Sequence, residues 1–202
     1  MARYSSRSWR AFRPRAGLES IALTVSECRV LGIDPGSLRT GYGIIDCQTG
    51  GERHVVSGCI NVAGRTMVVR LQRIYAEVQA LVNEHRPDMI AIERVFLHRN
   101  PDSALKLGQA RGVALCAAAA LGASVHEYAP RAIKRAVTGY GAAAKPQVAQ
   151  MVCTLLRLEQ TLAADAADAL AAALCHAQTR RLDALGGADA GPAAGASRVG
   201  TR

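Results

Sequence analysis

Two short apolar runs in this chain each end in an acid. Val30-Leu31-Gly32-Ile33 leads into Asp34, where a Pro35-Gly36 turn follows at once, and Met89-Ile90-Ala91-Ile92 leads into Glu93. Runs this short and apolar read as strands buried in a sheet. Burying a carboxylate at the end of such a strand is costly unless something compensates its charge. The neighbouring segments fix the context. Residues 29–34, 41–47 and 54–60 alternate as three short strands separated by turn chemistry. Residues 67–85 carry apolar side chains at helical spacing and stop at Pro87; 88–95 is a fourth strand. A helix over 103–121, with Ser103 as its cap, leads to a fifth strand at 124–128. Helices follow at 130–137, 146–158 (Pro146 in the first position) and 163–180. A meander of three strands followed by alternating helices and strands predicts an α/β fold: one mixed five-stranded sheet with helices on both faces.

The 202 residues suffice for one full domain and are short for two. The expected boundaries are a basic, disordered extension over 1–27, a folded domain over 28–180, and a disordered Gly/Ala-rich tail over 181–202. The extension holds Arg3, Arg7, Arg10, Arg13 and Arg15 before any acid appears, and it has no signal-peptide core. Between Cys28 and Arg180 there are 17 basic and 12 acidic residues, within a formal charge of +9 for the chain. A polyanionic partner is the natural inference. No apolar run is read as reaching the roughly 18 residues of a membrane span. The six cysteines are scattered without metal-ligand spacing, as expected of small buried hydrophobes in a reducing cytoplasm.

A third acidic contribution comes from "LAADAADALAAA". Asp165 and Asp168 stand three apart on an alanine-rich helix, so they share one face with Cβ atoms about 5–6 Å apart. If the first and fourth strands are parallel neighbours, Asp34 and Glu93 emerge at the same C-terminal sheet edge, where ligands sit in open α/β sheets. Packing the acidic helix face on that edge would gather four carboxylates. Such a group requires cations, and hard oxygen donors suit Mg²⁺ or Mn²⁺. Two such ions activate water and stabilise a leaving oxygen in phosphoryl displacement. Taken singly, each acid has a plainer explanation: a turn cap at Asp34, a strand-end ion pair at Glu93, helix-start residues at Asp165 and Asp168. The combination favours the metal site.

The segments "GIDPGSLRTGYGIID", "DMIAIERVFLHRNPDSALKLGQARG", "EYAPRAIKRAVTGYGAAAKPQV" and "DAADALAAALCHA" closely resemble the RuvC family of bacterial Holliday junction resolvases, in order and spacing, from about residue 29 to 180. The resemblance implies a ribonuclease H-like fold and a homodimer. Each subunit would nick one of two like-polarity strands of a four-way DNA junction, in recombination and repair. It implies that Asp34, Glu93, Asp165 and Asp168 are catalytic metal ligands for two Mg²⁺ ions per subunit, with Mn²⁺ able to substitute. It places Phe96 on the aromatic that family members direct toward junction bases, and Lys134 and Lys145 near the scissile phosphate. Arg131 and Arg135 complete an acid-free stretch from Arg131 to Lys145 that suits a phosphate-tracking surface. The helix over 103–121 is the expected contributor to the dimer contact. The RuvA–RuvB branch-migration machinery is the further partner implied.

Other readings compete. An actin- or sugar-kinase-type ATP-binding protein also places an acid and a glycine turn after a strand, but it needs a second related domain for which 202 residues leave no room. A junction-binding protein without catalysis would be expected to lack one or more of the four acids. A related nuclease of the same fold, acting on other branched or RNA-containing substrates, remains the main alternative. Gly139-x-Gly141 is explained by a turn between helices.

Overall fold

A computed structural model describes residues 26–94 and 100–186. The extension over 1–25, residues 95–99 with Phe96, and the tail from 187 lie outside the described residues.

Strands β1 (Cys28–Asp34), β2 (Arg39–Gln48) and β3 (Gly51–Asn61) form the expected meander. Helix α1 (Met67–His85) leads to β4 (Met89–Glu93), α2 (Pro101–Ala118, extended by a 3₁₀ turn at Ala119–Leu121) to β5 (Ser124–Tyr128). Helices α3 (Pro130–Thr138), α4 (Lys145–Leu155) and α5 (Ala164–Gly186) complete the described chain. The sheet order is β3-β2-β1-β4-β5. The β1–β2 and β2–β3 pairs are antiparallel, and β1–β4 and β4–β5 are parallel.

Side chains alternate across each strand, so the central strands feed two cores. Leu31, Ile33 and Ile90 pack with Ile74, Val78 and Val82 of α1 and with Ala110, Ala114 and Ala117 of α2. Val30, Ile45 and Ala91 face Leu170 and Leu174 of α5, Ile133 of α3 and Val152 of α4. Helices therefore cover both faces, which explains why β1 and β4 are apolar throughout rather than alternating. At the N-terminal end of β1 the Asp46 carboxylate joins Arg29 (2.7 Å) to Arg53 (2.6 Å). The Arg29 hydrogen bond holds Asp46 below the usual carboxylate range.

Several boundaries differ from expectation. Helix α2 starts at Pro101, not Ser103; the Asn100 side chain accepts from the N–H groups of Asp102 and Ser103. An Asn cap followed by proline satisfies that terminus two residues earlier. Helix α4 likewise begins at Lys145, so Pro146 takes the second position, and it ends at Leu155 rather than 158. Helix α5 continues through Gly186, six residues into the segment expected to be a disordered tail. Arg181 anchors that extra length to Glu52 (3.1 Å) and to the Gln48 carbonyl (3.3 Å). The helical stretch Pro101–Leu121, although interrupted by charged residues and so not an unbroken apolar run, contains an 18-residue window of mean hydropathy 1.2, long and apolar enough by length and composition to cross a bilayer. Only 22% of that stretch is buried.

Candidate active site

Because β1 and β4 are parallel and Ile33 pairs with Ile92, the next residues, Asp34 and Glu93, leave the sheet side by side at its C-terminal edge. Helix α5 crosses this edge at close range, and three glycines make the approach possible. A Cβ at Gly32 would collide with the Ala169 carbonyl, and one at Gly41 with the Asp165 backbone. One at Gly43 would lie 2.5 Å from Leu170 Cγ. Any side chain at these strand positions would lift α5 off the sheet and carry its acids away. The glycines were not singled out by sequence reading. Their signal is a glycine in a strand interior, which often marks close backbone approach.

Asp34, Glu93 and Asp168 line a cavity of about 290 Å³ together with Lys134 and Lys145, walled by apolar Ile133, Val148 and Ala171. Lys145 Nζ donates to Asp168 Oδ2 at 2.6 Å, and that bond raises the lysine pKa. Asp165 diverges from the other three. Its carboxylate accepts from the Cys59 thiol at 3.4 Å, on the β3 side of the helix start, and it does not line the cavity. The three-residue spacing puts Asp165 about 60° around the helix axis from Asp168, enough for one to face β3 while the other faces α4.

The electrostatics report a concentration of negative charge. Burial pushes the Asp34 carboxyl up to about 7, and Asp168, Glu93 and Asp165 push the same way against Lys145. Glu93 is raised chiefly by burial, with Asp168 adding to it and the two lysines opposing. Among the described residues no three His, Cys, Asp or Glu side chains already stand at metal-ligand spacing. The donor set nevertheless fits a hard divalent cation: carboxylate oxygens only, mutually repelling, half-buried, and faced by the ammonium groups of Lys134 and Lys145. Bound positive charge would offset the burial and the neighbouring carboxylates that together push the Asp34 carboxyl up.

Of the expected DNA-contacting residues, Lys134 and Lys145 reach the cavity. Arg131 and Arg135 are exposed on α3 and do not line it. Phe96 lies outside the described residues.

Comparison with known proteins agrees with this architecture. Residues 30–176 match the family model described as crossover junction endodeoxyribonuclease RuvC. The chain is 51% identical over 173 residues to the Chromohalobacter salexigens protein of that name, covering 86% of this chain and 90% of that one. The Thermus thermophilus RuvC structure superimposes with a TM-score of 0.70 at 34% identity, covering 77% of this chain and 97% of that one. T. thermophilus RuvC solved in complex with a Holliday junction substrate gives 0.69 at 33% identity, with 78% and 97% coverage. The mixed sheet flanked by helices is thus the ribonuclease H-like fold, and the chain belongs to the RuvC family of crossover junction endodeoxyribonucleases.

Proposed function

We propose that this chain resolves four-way DNA junctions by paired nicks, with Asp34, Glu93, Asp165 and Asp168 holding two Mg²⁺ ions and Lys134 and Lys145 facing the scissile phosphate. The observation that carries the reading is the cavity at the C-terminal edge of β1 and β4, where three carboxylates and two lysines from five separate elements converge. When bound, the ions supply an activated water and charge stabilisation for phosphoryl displacement. The chain's own residues do the rest. Asp34, whose carboxyl burial pushes up to about 7, binds a cation only in its deprotonated form. Lys145 releases Asp168 and turns its ammonium to a phosphate oxygen, a short movement for a side chain that is 75% exposed. The apolar walls from Ile133 and Val148 lower the local dielectric and so strengthen each of these charge contacts. Arg131 and Arg135 extend the positive surface along α3, and Phe96 is assigned to the junction bases. The work is assigned to the cytoplasm, in recombination and repair, beside a RuvA–RuvB-type partner.

The test is incubation of the purified chain with a synthetic four-way junction. Paired nicks are expected with Mg²⁺ or Mn²⁺ and none after chelation with EDTA. A protein that binds the junction and never nicks it under either metal would instead be a binding module.

Paired nicking of a two-fold junction calls for two sites related by a two-fold axis. The exposed face of α2 suits that contact. Gly108, Gly112 and Cys116 recur there at four-residue spacing, with nothing within 4 Å of a Cβ at either glycine. Leu105, 63% exposed, flanks the stripe. A second copy of the helix can approach closely along such a stripe and cover it. Gly112→Arg is expected to raise the dimer dissociation constant by about 10²-fold or more, because it buries an unpaired charge at the contact. Light scattering of parent and variant across a concentration series checks this; a parent that stays monomeric with and without junction would exclude the contact.

A further inference from the structure

We infer that the groove between the α3–α4 turn and the outer face of α4 is a subsite for an unpaired nucleobase of the cleaved strand, with Tyr140 as its stacking platform. The inference rests on the reading of the chain as a junction nuclease.

Tyr140 stands at the tip of the turn and is 66% exposed. Its backbone is held firmly. Gly139 takes the left-handed conformation (φ +78°) that the turn demands. Thr138 Oγ1 donates to the Lys134 carbonyl at 2.8 Å and accepts from the Tyr140 N–H at 3.2 Å. The ring is therefore presented to solvent on a fixed scaffold, an arrangement that loses little entropy when something stacks on it. Exposing an aromatic in this way brings no folding advantage, since its apolar faces stay in water.

Gln147, Gln150, Met151 and Thr154 of α4 form the opposite wall of the groove, whose volume of about 360 Å³ falls in the range of small-molecule sites. No charged side chain lines it, so its chemistry suits a base and not a phosphate. Gln147 Oε1 already accepts from the Ala144 N–H at 2.9 Å, which leaves its amide NH₂ to donate. The Gln150 amide makes no hydrogen bond among the described residues. A free glutamine amide can donate and accept at once on a base edge.

The location supplies the strand. Lys134, midway along α3, and Lys145, the first residue of α4, reach the acid cavity. Thr138 lies one helical turn past Lys134, about 5–6 Å along the axis. A strand with a phosphate at Lys134 therefore needs to follow α3 for only about one helical turn to bring a neighbouring nucleotide to the Thr138 and Tyr140 end of the groove. Aromatic stacking on such splayed bases is how single-stranded segments are commonly held.

Tyr140→Ala is expected to bind a four-way junction about tenfold more weakly, the loss of one base stack. Tyr140→Phe, which keeps the ring, is expected to stay close to the parent, and Tyr75→Ala, an exposed aromatic on α1, to leave affinity unchanged. The decisive readout is a fluorescent base analogue, 2-aminopurine, placed at successive positions flanking the cut. One position should be quenched by the parent and by Tyr140→Phe and not by Tyr140→Ala. Gln150→Ala should flatten the dependence of nicking rate on the base at that position. Equal quenching by parent and Tyr140→Ala, or the same loss of affinity on an intact duplex, overturns the subsite. A parent that nicks while Tyr140→Ala behaves identically sinks only this inference; a parent that never nicks sinks the reading beneath it.

Discussion

Asp34→Asn is expected to slow nicking of a four-way junction by at least about 10²–10³-fold, the scale on which one preorganised electrostatic group acts, while junction binding survives. The substitution keeps the side-chain shape and removes the charge. Asp34 sits where β1 leaves the sheet, beside Glu93, and lines the cavity with Asp168. Binding is assigned to Lys134, Lys145 and the arginines of α3, and one less negative charge near phosphate should favour it if anything. A pH dependence accompanies the effect. The folded-state pKa of Asp34 is raised to about 7, so below that pH its carboxyl holds a proton that a cation must displace. Nicking by the parent should therefore rise as pH increases through about 7, and more Mg²⁺ should shift the rise to lower pH by competing with the proton. Gel-shift titration and a nicking assay on one junction, repeated over a pH series, separate these effects. Undiminished nicking by Asp34→Asn would remove Asp34 from the site.

Glycine substitutions under α5 are expected to have the next largest effects, and to split between stability and activity. A Cβ at Gly32 would meet the Ala169 carbonyl, in the second turn of α5, and the Ala173 side chain one turn further in. Neither backbone nor packed core yields easily there, so Gly32→Ala should destabilise the fold by about 1–3 kcal/mol or more. Urea unfolding should show a lower midpoint with little change in slope. Gly41 lies under the first turn of the same helix, against the Asp165 backbone. A helix end can shift more cheaply than the packed turns behind it, so Gly41→Ala should cost less stability. It should instead displace Asp165, and through it Asp168, from the sheet edge. The expected result is a large loss of nicking in a protein that still melts cooperatively. Equal nicking by Gly41→Ala and the parent would mean that α5 tolerates the shift or that Asp165 is dispensable.

Much of the architecture was legible from local pattern. Helix α1 and strand β5 fall where apolar periodicity, Pro87 and flanking turn residues put them. The parallel pairing of β1 with β4, posed from the sequence only as the condition for bringing Asp34 and Glu93 together, is present in the sheet. Errors gathered at helix ends, where single side chains decide. Asn100 outcompeted Ser103 as the α2 cap, and Arg181 with Glu52 carried α5 past the point where alanine and glycine suggested an end. Neither contact has a periodic signal.

The sequence by itself singled out the four acids as a combination, since two apolar runs each ending in an acid and a pair of acids on an alanine helix are hard to explain together outside a charged site. It singled out the two lysines only through the family resemblance. It also determined which faces were buried, because the period of apolar residues is a local property of the chain. Only the tertiary structure decided how the acids are shared out. Asp34, Glu93 and Asp168 meet over one cavity, while Asp165, one turn away, turns to Cys59 on β3. The same is true of the groove at Tyr140, whose walls come from a turn and a helix face. The physical reason is one of range. Spacing along a helix fixes angles within that helix, but which neighbour each angle faces depends on how closely α5 lies on the sheet. That distance is set by three glycines 120 or more residues away in sequence.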